Sequence, residues 1–143
     1  LQATGAKYAA RVLMTDFSER RDVVRLDLKG AYEVPSLTRC ERMFVLDREN
    51  GFCTVGDELS FSSPTALEVP ILTTGEAQRE GEGWILMRDG KKVKVRVDIV
   101  GGAWHWEDET LENPDRPTPR RLSVAFNRPV REARVMFTFE KAE

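Results

Sequence analysis

Residues 37 to 61, LTRCERMFVLDRENGFCTVGDELSF, constrain the fold of this chain more than any other stretch. They read as two long strands joined by one tight turn at Arg48-Glu49-Asn50-Gly51, because Asn and Gly tolerate positive φ. Centring the turn between Glu49 and Asn50 sets Leu46 opposite Cys53, Phe44 opposite Val55, Arg42 opposite Asp57 and Cys40 opposite Leu59. That face is apolar except for one opposite-charge pair, and cross-strand pairs of these types stabilise a sheet. The other face sets Val45 against Thr54 and Met43 against Gly56. Neither face is cleanly polar, which predicts a hairpin covered on both sides, as in a sandwich core. Cys40 and Cys53 are the only cysteines. In this register they share a face but stand roughly 20 Å apart at about 3.3 Å per residue, whereas a disulfide needs Cα atoms within about 7 Å. Both are predicted free and buried, and two cysteines with one histidine supply no zinc framework.

The remaining segments follow the same period of two. Strands are predicted at 7–14, 22–28 and 65–74, with Leu67, Val69 and Ile71 on one face of the last and Pro70 marking an edge or bulge. Ser62-Ser63-Pro64 is read as a break after the central hairpin, and 75–83 as a charged turn. Trp84 to Arg88 and Lys91 to Ile99 form a second hairpin across Asp89-Gly90, pairing Trp84 with Val95, Leu86 with Val93, Ile85 with Lys94 and Met87 with Lys92. A short strand at 103–107 carries Trp104 and Trp106 on one side and His105 on the other. A loop containing Pro114, Pro117 and Pro119 leads to a last predicted hairpin, 121–126 with 131–139. No segment sustains helical periodicity over about 10 residues. Nine or ten strands with turn signals every 8 to 12 residues predict an all-β fold, an antiparallel β-sandwich.

At 143 residues the chain is one domain. A formal charge of −2 excludes a whole-domain basic signature, so no nucleic-acid partner is expected. No apolar run approaches the roughly 20 residues that span a bilayer, so no membrane partner is expected either. The chain opens Leu1-Gln2-Ala3-Thr4-Gly5, with no initiator Met and no leader, and is read as a processed form or a fragment.

Four segments in order carry a resemblance: Tyr8-Ala9-Ala10-Arg11-Val12; Val24 to Tyr32 (VRLDLKGAY); Leu37 to Arg48 (LTRCERMFVLDR); and Val55 to Phe61 (VGDELSF). Together they resemble the β-sandwich part of heparinase II/III-like polysaccharide lyases, over residues 8 to about 74 and by strand pattern alone beyond that. The resemblance implies a supersandwich-like domain, 1–143, that is the C-terminal fragment of a larger lyase. Its partner is an α/α-toroid preceding it in the parent chain, with the cleft for an acidic polysaccharide between them. Such enzymes cleave uronate-containing chains by β-elimination, a Tyr and a His moving the protons. Bacterial secretion or a periplasmic location is implied. Neither the toroid nor the family's usual His-Asn segment is within these residues, so the chain by itself is expected to be inactive. Some members hold a structural metal through histidines and a carboxylate; with one histidine, neither a metal nor another cofactor is predicted here.

Candidate substrate contacts are Trp104, His105, Trp106, Arg120 and Arg121. Aromatic faces stack on pyranose rings, an imidazole hydrogen-bonds hydroxyls, and guanidinium matches sulfate and uronate oxygens bidentately. Arg116, Arg128, Arg131 and Arg134 extend the basic group. The structural alternative has the tryptophans filling the core with a surface histidine between them, and the arginines pairing with Glu107, Asp108, Glu109, Glu112, Asp115 and Glu132. Tyr8 and Tyr32 read as packing residues, and Arg42 with Asp57 as a structural ion pair. Two other functions stay open: a free-standing carbohydrate-binding module, and a structural sandwich without sugar contact.

Overall fold

The structure is a computed structural model that describes residues 5, 7–112 and 118–142. The central hairpin forms as β3 (Leu37–Asp47) and β4 (Phe52–Thr65), with Arg42 opposite Asp57, Phe44 opposite Val55 and Leu46 opposite Cys53. Its turn closes through Gly51 N–H donating to the Asp47 carbonyl at 3.0 Å, with Gly51 at φ 73°. The Asp47 carboxylate also accepts from the Asn50 amide at 2.8 Å, the Asx arrangement that fixes such turns. β1 (Arg11–Phe17) and β2 (Arg21–Asp27) extend the hairpin on one side. β11 (Val130–Lys141), β8 (Lys91–Val100), β7 (Gly83–Arg88) and β6 (Glu76–Glu80) extend it on the other, giving an eight-stranded antiparallel sheet. β5 (Glu68–Thr73), β10 (Arg120–Phe126) and β9 (Trp104–Thr110) form a second sheet of three strands, in the order β5-β10-β9.

The β7–β8 hairpin turns through Asp89 and Gly90 at φ 51° and 72°, both positive as a type I′ turn requires, and all its predicted pairs form. The small sheet lies against the large one over a core in which Val95, Leu122, Val124 and Val135 are wholly buried. Among the described residues no helix is long and apolar enough to cross a membrane.

Five expectations are corrected. Residues 76–80 are a strand, β6, not a turn, which makes eleven strands among the described residues. EAQRE lacks apolar alternation because it is an edge strand paired only to β7. Ser62-Ser63-Pro64 does not break β4; the ladder to β11 steps from Ser60 to Thr65 as β11 steps from Glu132 to Val130, so Pro64 sits in an irregularity where no ladder donor is needed. The segments 121–126 and 131–139 do not pair. β10 bonds to β5 and β9, β11 bonds to β4 and β8, and their apolar faces meet across the sandwich.

Finally, the hairpin is not covered on both sides. On its Met43 face Thr54 is buried, but Met43 is 39% exposed and an ion-pair network lies at the surface, Arg25–Glu41 at 2.5 Å, Arg39–Glu41 at 3.0 Å and Arg39–Glu58 at 2.6 Å. Hydrogen bonds from Arg39, then Arg25, hold the Glu41 carboxyl below its ordinary range. The opposite face is buried only near Cys40 and Asp57, while Phe44 and Leu46 toward the tip are exposed. Both cysteines are free; Cys40 is buried, whereas Cys53, on the open part of the face, is only half-buried.

Candidate functional site

Strand alternation splits the five predicted contacts between two surfaces. β10 places Leu122, Val124 and Phe126 inward, and the register with β9 sets Trp106 beside Val124 and Trp104 beside Phe126. Trp104 and Trp106 are therefore half-buried core residues. Trp106 meets Trp84 edge-on with centroids 5.7 Å apart, and Trp104 likewise at 5.8 Å, geometries that suit the ring quadrupoles. The Trp106 indole N–H donates to the Glu82 carbonyl at 2.8 Å. Trp84 is 3% exposed, and its indole N–H is the one buried side-chain polar atom among the described residues without a hydrogen-bond partner. Arg79 and Arg120 lie over the Trp84 ring, 5.1 and 5.6 Å from its centroid.

Arg120 points the same way as the tryptophans. Its Nε and Nη2 donate to both oxygens of Asp108 at 2.7 and 2.5 Å, and its Nη1 donates to the Ala77 carbonyl at 2.8 Å. The hydrogen bonds from Arg120 hold the Asp108 carboxyl below the usual carboxylate range. With both faces of its fork engaged, Arg120 ties β9 and β10 to edge strand β6, a joint that the one-dimensional pattern does not reveal.

His105 and Arg121 occupy the outer face of the small sheet. His105 Nδ1 bonds the Asn127 side-chain oxygen at 2.6 Å, and its Nε2 lies 3.5 Å from Glu107. Arg121 bridges Glu68 at 2.8 Å and Glu109 at 3.4 Å. Arg131 donates to the Ser62 carbonyl at 2.6 Å. Arg116 lies outside the described residues, as do Pro114, Asp115 and Pro117. A polyanion approaching this face meets Glu68, Glu107 and Glu109 around its cations. Among the described residues no group of three or more His, Cys, Asp or Glu side chains is gathered as a metal would require.

The central pair is a second bidentate fork. Arg42 Nε and Nη2 reach the two Asp57 oxygens at 2.6 and 2.7 Å, a bidentate fork, with Asp57 buried and the Arg42 side chain 32% exposed. The hydrogen bond to Asp57 raises the Arg42 pKa, and burial pushes the Cys40 thiol on the same face up to about 11. Burial likewise raises the Tyr32 phenol, while the Tyr8 hydroxyl bonds Glu33.

Two solved chains of heparinase III superpose on this one. The first has a TM-score of 0.74 at 12% identity, covering 93% of this chain and 21% of the other. The second, heparinase III with methylated lysines, has a TM-score of 0.72 at the same identity and coverage. This chain has the fold of part of heparinase III. It spans about one fifth of the length of those chains. No family model and no curated protein matches its sequence. The heparinase-like fold thus accounts for the strand order, while Trp104, Trp106 and Arg120 are structural in their contacts.

Proposed function

We propose that this chain is the non-catalytic C-terminal β-sandwich domain of a heparinase II/III-like polysaccharide lyase. In that enzyme it buttresses an α/α-toroid and forms one wall of the cleft in which an acidic polysaccharide undergoes β-elimination. The observation that supports the reading is the likeness to heparinase III, which takes in 93% of this chain but 21% of the other. The local chemistry agrees with a supporting role. β-Elimination from a uronate needs a base at the carbon next to the carboxylate and cationic groups that neutralise that carboxylate. His105 is flanked by Glu107 and tied to Asn127, and Arg121 is shared between two carboxylates. Those two residues are the candidates for contact with a polysaccharide, since the tryptophan rings are turned into the core, which disfavours a free-standing sugar-binding module.

The test is an absorbance assay for unsaturated uronate on heparin, heparan sulfate, alginate and chondroitin, run on the 143-residue chain and on the longer gene product. The chain is expected to release no product and the longer protein to release it from at least one polymer. Product from the chain alone, or none from the longer protein on a polymer panel widened to all uronate classes, overturns the proposal.

A further inference from the structure

The large sheet turns one apolar face toward the small sheet, but the small sheet covers only part of it. Register carries that face from buried Phe137 through Val55 and Phe44 to Val24, and from Phe139 through Cys53 to Leu46. Pairing of Val12 with Leu26 and of Phe17 with Asp22 continues it onto β1. At this end the face is open: Val12 is 61% exposed, Phe17 66% and Leu46 43%. Leu46, Cys53, Val93 and Phe139 floor a groove of about 1010 Å³ there. The polar exception on the face, Arg42 with Asp57, satisfies itself. Monomers rarely leave a contiguous apolar patch of more than a few hundred Å² in water.

We infer that this open face of β1–β4 and β11 is the seat of a second domain of the same polypeptide, one that docks by side-chain packing of an apolar surface with an acidic margin. The inference rests on the lyase reading above for the existence of that domain. Three observations select the occupant. The matched heparinase III chains continue well beyond the matched fifth, so a fold of this kind sits there within a much larger chain.

The border of the open face resists a covering strand. Thr73 of β5 lines the hollow that continues to Val93 and Phe139, so β5 is the small-sheet edge overlooking it. Phe126 N–H bonds the Leu67 carbonyl at 3.1 Å, and alternation along the β5–β10 pairing then aims the backbone of Val69 and Ile71 at β10 and that of Pro70 outward. A proline nitrogen on a free edge has no hydrogen to offer, so an added strand is refused and side-chain packing is left. Third, Lys91 and Lys141, which share the Val93 side of β8 and β11, stand at the groove, which suits carboxylates on the margin of the incoming surface.

Cys53 is a probe built into this face, and Cys40, buried and with its thiol pushed up to about 11, stays silent at pH 8. The experiment is the rate of thiol labelling at Cys53, located by peptide mass, in the full-length protein and in the 143-residue chain. Labelling is expected to be at least ~10-fold slower in the full-length protein. In that protein Phe44→Glu, or Leu46→Lys should the first not fold, is expected to bring the rate back toward that of the short chain. Met43→Glu, on the opposite face, is expected to leave it slow. Equal rates in the two wild-type lengths overturn the inference. So does protection in the short chain that grows with its concentration, which identifies a second copy as the occupant. A protected Cys53 in a full-length protein without lyase activity keeps the docking face and removes the lyase reading; an active lyase with a freely labelled Cys53 does the reverse.

Discussion

Arg42 and Asp57 show how much one pair of residues can fix. Both are held by the hairpin register, and their fork is shielded on the side of Asp57. Removing one member strands the other, which for buried pairs costs about 3–5 kcal/mol; water reaching the third of Arg42 that is exposed puts Asp57→Ala near the lower end, about 3 kcal/mol. Adding Arg42→Met should recover part of that loss, because the stranded charge disappears, and a double-mutant cycle by denaturant unfolding measures it. Additive losses would show that the two side chains do not share their energy. Cys40 gives a pH prediction on the same face. Its folded pKa, about 11, exceeds the ordinary 9.0, so above pH 9 the unfolded state loses the proton first and stability falls as pH rises toward 11. A shift of this size corresponds to about 2–3 kcal/mol. Melting curves from pH 8 to 11 should therefore fall less steeply in Cys40→Ala than in the wild type, and parallel curves would contradict the assignment. Both thiols are free, so denatured, non-reduced protein should titrate as two thiols.

At the scale of elements, the two hairpins with Asn-Gly and Asp-Gly turns were legible residue by residue, since turn chemistry and period-two alternation fix register together. β6 was not, because Ala77 is the one residue of this edge strand that packs on the core, which leaves no apolar alternation to read. Glycines test the packing between elements. Gly56 lies inside β4, and a Cβ there would meet only Met136, 3.6 Å away. Gly56→Ala is expected to stabilise the protein by about 0.5–1 kcal/mol by removing backbone freedom from the unfolded chain. Gly83 begins β7, and a Cβ there would stand 2.0 Å from the Val95 carbonyl oxygen. Gly83→Ala must push β7 off β8 and is expected to lower stability by at least ~2 kcal/mol, or to prevent folding. Equal melting temperatures for the two variants would mean that the β7–β8 contact is not as close as described.

For the whole molecule the main fact is imbalance, eight strands facing three. A small sheet cannot cover a large one, and the uncovered part keeps the composition of a core. The native 143-residue chain is accordingly expected to enhance the fluorescence of an anilinonaphthalene dye, which reports exposed apolar surface. Phe44→Glu with Leu46→Glu should reduce that signal, and should lower the melting temperature less than a polar change at wholly buried Val135 does, because Phe44 and Leu46 are 36% and 43% exposed. An undiminished signal would place the dye site elsewhere.

The sequence alone determined the all-β class, most strand positions, both tight hairpins and the Arg42–Asp57 and Trp84–Val95 pairings. All of these depend on residues near one another in the chain, where turn geometry and alternation act directly. It also offered Trp104, His105, Trp106, Arg120 and Arg121 as substrate contacts, and they lie on adjacent strands, β9 and β10. What divided them was which face of the three-stranded sheet meets the core, and alternation names two faces without saying which is inside. The parting of β10 from β11, the joint of Arg120 to β6 and the bare end of the large sheet were likewise decided only in three dimensions. Each depends on how one sheet is laid across another, a non-local packing choice that no window of the chain contains.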